Sequence, residues 1–243
     1  ENQVLSHDLL EGCYARSGLV SDVALFEQSP DNYLADVARR RRWVRGDWQL
    51  LPWLRRRVRT LGGSWEDNTL SALSRWKLLD NLRRSLTPLA TLMLLVGGLL
   101  LTTPVSVLWI VGLLWLSPAL LALVLDVALV AKEVSWWQYS RLSVVQALRR
   151  IRQQGLQLLL LPFEALFHLS AACTALWRMF ASHRRMLEWT TSEAQQQQAP
   201  HLAADFYRQM WPSWTLALLL VPLVALSMPA NLELALAIAA GWL

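Results

Sequence analysis

Cysteine is scarce: Cys13 and Cys173 are the only two in 243 residues, and they lie too far apart to match a metal-ligand spacing or a disulfide framework. Both are therefore expected to be buried thiols. The four histidines, His7, His168, His183 and His201, are equally scattered, which argues against a local metal-ligand set. Charged residues make up only 17% of the chain, and no nucleic-acid-binding motif accompanies the basic ones, so nucleic acid is a poor partner. No internal repeat occurs, and Gln195 to Gln198 reads as a short polar loop. The start, Glu1-Asn2-Gln3-Val4, has neither an initiator Met nor a basic stretch leading into an apolar run, so no signal peptide is expected there. The last residues, Leu234 to Leu243, stop inside an apolar stretch, and both ends are expected to be cuts in a longer polypeptide.

What the chain has in quantity is apolar and indole surface. Hydrophobic residues account for 54%, with fourteen tryptophans, which is too apolar and too Trp-rich for an ordinary soluble domain. An integral membrane protein, or part of one, is expected. The net charge of +5 is concentrated before and between the apolar runs, as in loops that face an anionic cytoplasmic leaflet.

Residues 1–60 read as the end of a mixed α/β domain. Ser6 or Asp8 caps a helix reaching about Ser17, Gly18 ends it, and Leu19 to Phe26 form a strand. After a turn at Ser29-Pro30-Asp31-Asn32, a second helix begins at Tyr33, is weakened at Gly46-Asp47 and is interrupted by Pro52. Trp48, Leu50, Leu51, Trp53 and Leu54, bordered by Arg55, Arg56, Arg57 and Arg59, suit a headgroup layer.

Residues 61–85 follow a loop at Leu61-Gly62-Gly63-Ser64 with an amphipathic interfacial helix, in which Leu70, Leu73, Trp76, Leu79 and Leu82 recur every three residues. Arg75, Lys77, Arg83 and Arg84 keep it cytoplasmic. Residues 86–125 read as a transmembrane hairpin, with runs Leu86 to Leu101 and Val105 to Leu125 joined by Thr102-Thr103-Pro104, since a span needs roughly 20 apolar residues. Residues 126–210 return to the cytoplasm through Lys132, Arg141, Arg149, Arg150 and Arg152. Within them, Leu156 to Phe180 contains Pro162, Glu164 and His168, and is expected in plane or re-entrant, because a span there would put Arg178, Arg184 and Arg185 outside. Residues 211–243 form a second, truncated hairpin: a span from Trp211 to Ser227, a turn at Met228-Pro229-Ala230-Asn231, and a further span from Leu232.

Two groups of residues carry candidate chemistry. Asp8 has the chemistry of a general base, a carboxylate able to accept a proton from an attacking hydroxyl; Asp8-Leu9-Leu10-Glu11 also fits a loose helix-capping box. Arg39-Arg40-Arg41-Arg42-Trp43-Val44-Arg45-Gly46-Asp47-Trp48-Gln49 combines a cationic row suited to a diphosphate with indole faces suited to a sugar ring. An Arg run beside Trp is also what a solvated or lipid-facing helix shows, although such a helix has no need of Gly46. The site expected from these residues is Asp8 as the catalytic group, with Glu11, Arg39, Arg42, Trp43, Arg45, Asp47 and Trp48 binding substrate, and no metal ligand among them. Glu11 could act as a second acid, but its position favours a helix-surface charge. Asp22 and Glu27 could touch a donor but suit a half-exposed strand, and Asp126 and Glu164 are acids at or near the membrane.

The run Asn2 to Leu19, with Ser6-His7-Asp8-Leu9-Leu10-Glu11-Gly12-Cys13-Tyr14 at its centre, closely resembles the glycosyltransferase region of cyclic β-1,2-glucan synthases. So do Arg39 to Gln49, Leu70 to Lys77, Asp80 to Ser85 and Leu161-Pro162-Phe163-Glu164, and the likeness continues through most of the chain. The resemblance implies the C-terminal part of a GT-A-type transferase followed by interfacial and transmembrane helices, within a mainly α membrane protein of the bacterial inner membrane. It implies UDP-glucose and a growing β-1,2-glucan as ligands, closed into a ring by the whole enzyme. An upstream transferase half and a downstream phosphorylase-like domain would belong to the same polypeptide.

By the same resemblance, Asp8 takes the acidic place of the Thr-Glu-Asp base motif of relatives such as cellulose synthase. Arg42 and Trp43 match the end of their Gln-x-x-Arg-Trp motif, while Arg39 stands where those relatives have Gln. The Asp-x-Asp motif that binds UDP and a divalent metal, Mg or Mn, lies outside this chain, so the piece alone is expected to be inactive. A synthase of non-cyclic osmoregulated glucans and a non-catalytic glucan-translocation or scaffold module are the alternatives. Leu10-Glu11-Gly12-Cys13-Tyr14 favours the cyclic family.

Overall fold

The computed structural model describes residues 4–5, 8–15, 18, 20–26, 30, 32–59, 62–128, 136–188 and 203–243. The protein is mainly helical, and its chain divides into two compact units, one of residues 1–87 with 166–209 and the other of 88–165 with 210–243. Ser6, His7, Glu27, Lys132, Gln195 to Gln198 and His201 lie outside the described residues.

In the first unit, helix α1 spans Asp8–Ala15 and α2 spans Tyr33–Gln49. Asn32 starts α2 by accepting the N–H of Leu34 at 2.8 Å, which satisfies one of the amides a helix leaves without a partner at its start. The helix runs unbroken through Gly46 and Asp47, where weakening was expected. Val44, Gly46, Gln49 and Leu50 are all buried, and that burial outweighs the cost of a helical glycine. Pro52 then opens a 3-10 turn, Leu51–Leu54.

Where a strand was expected over Leu19 to Phe26, the described residues 20–26 are a turn and irregular exposed chain, and Leu19 lies outside the described residues. Among the described residues nothing pairs with this segment, Leu25 and Phe26 are exposed, and a strand needs a partner.

The sheet present is an antiparallel pair, β1 (Arg57–Arg59) and β2 (Trp65–Asp67), registered Arg57 to Asp67 and Arg59 to Trp65. Gly63, at φ 82°, takes the left-handed conformation in the connecting turn. Asn68 locks the pair: its Nδ2 donates to the carbonyls of Trp53 (2.6 Å) and Arg55 (2.9 Å), and its Oδ1 accepts from the N–H of Leu70 (3.0 Å) and the hydroxyl of Tyr14 (3.3 Å). The small core beside it consists of Leu50, Leu70 and Leu78, with Val4, Leu9, Leu10, Cys13, Trp53 and Leu54 packed around them. The α1 face bearing Leu9, Leu10 and Cys13 is thereby turned inward, while Asp8 and Glu11 are exposed.

Helix α3 spans Ala72–Leu101 as one element, so the amphipathic segment and the first apolar run are continuous. Ser71 caps it by accepting the N–H of Ser74 at 3.0 Å. Then come α4 (Pro104–Val111), a π turn (Gly112–Leu116) and α5 (Ser117–Ala128), and later α6 (Trp136–Trp177), which ends in a second π turn, Arg178–Ser182. The segment expected in plane, Leu156 to Phe180, belongs to that single long helix. Last are α7 (Ala203–Gln209), α8 (Trp211–Ser227) and α9 (Leu232–Trp242).

The second unit is built around Leu92, Leu95, Leu99, Val107, Trp115, Leu161, Ala165, Ala217, Leu220, Val224, Ala235, Ala239 and Trp242. Gly98 lets α4 approach α3, since a Cβ there would stand 3.3 Å from Ile110 Cδ1. Among the described residues, three helical stretches are long and apolar enough to cross a membrane: Ala72–Leu101, Pro104–Asp126 and Tyr139–Ser182. A fourth is added if Ala203–Gln209 and Trp211–Ser227 form one broken span. Contrary to expectation, the two thiols are not buried: Cys13 is half-buried and Cys173 is exposed on a helix whose outer surface is apolar. Where the outside is lipid, an apolar thiol gains nothing by turning inward.

Candidate functional site

The candidate site residues concentrate on α2, and the helical repeat sorts them by face. Asp36, Arg39, Arg40 and Trp43 share one side. Asp36 Oδ1 accepts from Arg39 Nη2 at 2.8 Å and its Oδ2 from Arg40 Nε at 2.8 Å, so one carboxylate orients two guanidiniums. Arg39 then lies over the Trp43 ring, 4.9 Å from its centroid, and Arg40 lies over Tyr33 (5.8 Å) and over Phe167 of α6 (5.2 Å). Trp43 remains 43% exposed, an indole braced by a cation and open at the surface. Arg42 is half-buried beside it.

Asp47 and Trp48 have their polar atoms committed to α3. Asp47 Oδ1 accepts from Asn81 Nδ2 at 3.0 Å, and the Trp48 indole N–H donates to Ser85 Oγ at 3.0 Å. With Asn81 and Ser85 one turn apart, these bonds fasten the C-terminal half of α2 along α3. Burial pushes the Asp47 carboxyl above its ordinary value of 3.8, against the opposing pull of the Asn81 amide and the Arg84 charge.

Arg45 faces the end of α6. Burial is the main cause of its lowered pKa, followed by the like charge of Arg178, the opposing charge of Glu188 and the like charge of Arg41. Its Nε and Nη2 are buried with no acceptor among the described residues. Arg178 itself is tied down, through Nη1 to the Arg185 carbonyl (2.7 Å) and through Nη2 to Glu188 Oε2 (2.7 Å). The result is a focus of positive potential suited to a polyanionic ligand nearby.

Asp8 and Glu11 come from the exposed face of α1, whose approach to α2 is fixed by Gln49. Gln49 Oε1 accepts the backbone N–H of Leu5 at 2.7 Å, three positions ahead of Asp8, and its Nε2 donates to the Met186 carbonyl at 3.0 Å. The Asp8 segment is thus attached at the C-terminal end of α2, about 9 Å along the axis from Trp43 at 1.5 Å per residue. Arg39 and Trp43 are brought into direct contact, and Asp47 and Trp48 form the footing. Sequence reasoning missed Gln49, Arg178 and Ser85. Gln49 alone carried a signal, as a polar residue two turns from Arg42 on a helix that needs apolar residues where it packs. Asp22 lies in an exposed turn, and among the described residues no three His, Cys, Asp or Glu side chains assemble as a metal site.

No protein-family model matches the chain. In an alignment of 236 positions that covers 93% of its length, the chain is 38% identical to the cyclic β-(1,2)-glucan synthase NdvB of Rhizobium meliloti (strain 1021). The chain is similar to a piece of a glucan synthase. It spans 8% of NdvB, and the alignment leaves only a small fraction of the chain unmatched. The resemblance expected from Asn2 to Leu19 and from Arg39 to Gln49 therefore extends across almost the whole chain, and the chain is homologous to a small portion of NdvB.

Proposed function

We propose that this chain is the C-terminal part of a GT-A-type glucosyltransferase region in a membrane-embedded synthase that makes β-1,2-glucan from UDP-glucose. The single observation that carries the reading is the Arg39-braced, outward-open indole of Trp43 beside Arg42, in a chain 38% identical to NdvB over 93% of its length. Asp8 is the general base. It removes the proton from the 2-hydroxyl of the terminal glucose as that oxygen forms a bond to C1 of UDP-glucose, and the bond from C1 to the UDP oxygen breaks with inversion. Arg42 offsets charge on the departing diphosphate, and Trp43 carries the acceptor ring. Glu11, Arg45 and the Asp47–Trp48 footing shape the ligand's surroundings. A divalent Mg or Mn ion would be held by an Asp-x-Asp motif elsewhere in the polypeptide, where it would supply Lewis-acid stabilisation of the diphosphate; no ligand for it comes from these residues.

The protein would reside in the bacterial inner membrane, with the α2 region on the cytoplasmic side, where its arginines are retained. The transferase half that precedes it and a phosphorylase-like domain that follows would complete the enzyme. Labelled UDP-glucose supplied to membranes holding the full-length protein tests the reading. Incorporation into a β-1,2-linked, cyclised product is expected, with Asp8→Asn abolishing it while membrane insertion persists. Linear or otherwise linked product would assign a different glucan synthase, and no incorporation at all would favour a translocation or scaffold module.

A further inference from the structure

Gln49 is 2% exposed and uses both ends of its amide. Its partners lie 44 and 137 residues away along the chain, one just ahead of α1 and the other in the turn that follows α6. A primary amide carries an acceptor and a donor side by side; an ionised carboxylate offers acceptors alone, and an apolar chain of the same length offers neither. The turn that Gln49 grips is conformationally costly, with His183 at φ 51° and Arg185 at φ 55°, both in the left-handed region. Arg178 holds the same turn from the helix side through the Arg185 carbonyl and the Glu188 carboxylate. The Met186 carbonyl is therefore presented from a braced turn, and it fixes which way the Gln49 amide points.

On its other side, the amide oxygen holds Leu5. The following α1 rests Leu9, Leu10 and Cys13 beside Leu50, the residue next to Gln49. The Leu5 hydrogen bond and the apolar contact thus hold α1 by its start at the end of α2, while Tyr14 at its far end bonds Asn68.

We propose that Gln49 is a positioning residue: by holding the Leu5 backbone, in an orientation set by the Met186 carbonyl, it places Asp8 for proton transfer. The catalytic half of this inference rests on Asp8 being the base. Gln49 touches no reacting atom, so its loss slows the chemical step without weakening donor binding.

The test compares two variants of the full-length enzyme in its membrane. Gln49→Met keeps the side chain's length but loses both bonds, while Gln49→Glu keeps an oxygen for the Leu5 N–H and loses the donor to Met186. Two quantities are read: hydrogen exchange of the segments 4–15 and 183–188, and kcat with KM for UDP-glucose. Gln49→Met is expected to speed exchange of 4–15 about tenfold and to lower kcat about tenfold with KM within about twofold. Gln49→Glu is expected to loosen 183–188 while keeping 4–15 protected and most of kcat. Unchanged exchange of 4–15 in Gln49→Met, equal losses of kcat in the two variants, or a loss carried by KM would each overturn the assignment. Asp8→Asn, assayed alongside, keeps the two readings apart: full activity there removes the base reading, and exchange of 4–15 still decides whether Gln49 holds the segment.

Discussion

The indole N–H of Trp242 donates to the carbonyl of Leu158 at 3.0 Å, the carbonyl that Pro162 leaves without a helical donor four residues further along α6. In an apolar surrounding that carbonyl has no water to turn to, so an indole from α9 replaces the missing amide. The approach is close enough that a Cβ on the adjacent Gly241 would stand 2.7 Å from Leu159 Cδ2. Trp242→Phe, which keeps most of the ring but loses the donor, should destabilise the protein by about 1 to 2 kcal/mol. In a Pro162→Ala background the helix supplies its own donor and the same change should cost much less. A double-mutant cycle on unfolding in mild detergent measures the coupling, and additive effects would refute it.

Asn231 makes a related repair at the end of α3. It is fully buried, and its Nδ2 donates to the carbonyls of Leu99 (2.8 Å) and Thr102 (2.7 Å). Carbonyls at a helix C-terminus lack intrahelical donors, and here a side chain from the turn between α8 and α9 supplies one nitrogen to two of them. Asn231→Leu should cost about 2 to 4 kcal/mol, because two buried acceptors lose their donor together. Asn231→Asp should be at least as damaging, since it sets an acceptor against acceptors. Thermal unfolding of the detergent-solubilised protein reads both.

The footing of α2 gives a pH prediction. Burial raises the Asp47 carboxyl above 3.8, so between 3.8 and its folded value the native state binds more protons than the unfolded state. Ionising Asp47 therefore costs stability: its contribution is most favourable below the unfolded value and declines as pH rises through the folded one. Asp47→Asn keeps an oxygen for the Asn81 N–H and removes the titration. The difference in unfolding temperature between Asp47→Asn and the unaltered protein should grow in the variant's favour from pH 4 towards neutrality. A flat difference would show that Asp47 is not destabilised by burial.

These cases mark what was legible in the sequence. The helices over Tyr33 to Gln49 and Trp211 to Ser227 followed from caps, prolines and apolar runs, because such signals act within a turn or two of the chain. The Leu19 to Phe26 segment looked like a strand because β-branched and apolar residues cluster there, but a strand needs a partner and none lies beside it in the described chain. The Gly46-Asp47 break failed for the opposite reason: tertiary packing of Val44, Gly46 and Gln49 overrode local propensity. Asp47 and Trp48 were legible as special residues, yet their attachment to Asn81 and Ser85 was not, since a separation of more than thirty residues leaves no local trace. The similarity to NdvB was legible because long runs, rather than single motifs, carried it.

The exposed indole gives the most direct test of the ligand face. Arg39 covers Trp43 from within the helix, held there by Asp36, so removing the ring costs little packing but deletes an apolar platform with fixed orientation. Trp43→Ala in the full-length enzyme should lower elongation about tenfold or more, with UDP binding changed less than about threefold, because a sugar-stacking surface acts on the acceptor and not on the nucleotide. Trp43→Phe should recover a substantial part of the rate, since a smaller aromatic face remains. Arg42→Lys should show the converse pattern, weakening UDP more than acceptor, because an ammonium cannot reproduce the planar two-pronged contact of a guanidinium with phosphate oxygens. UDP affinity by calorimetry and chain elongation by labelled glucose incorporation separate the two effects. Equal loss of both in Trp43→Ala would mean that the indole supports the fold of α2 rather than the sugar.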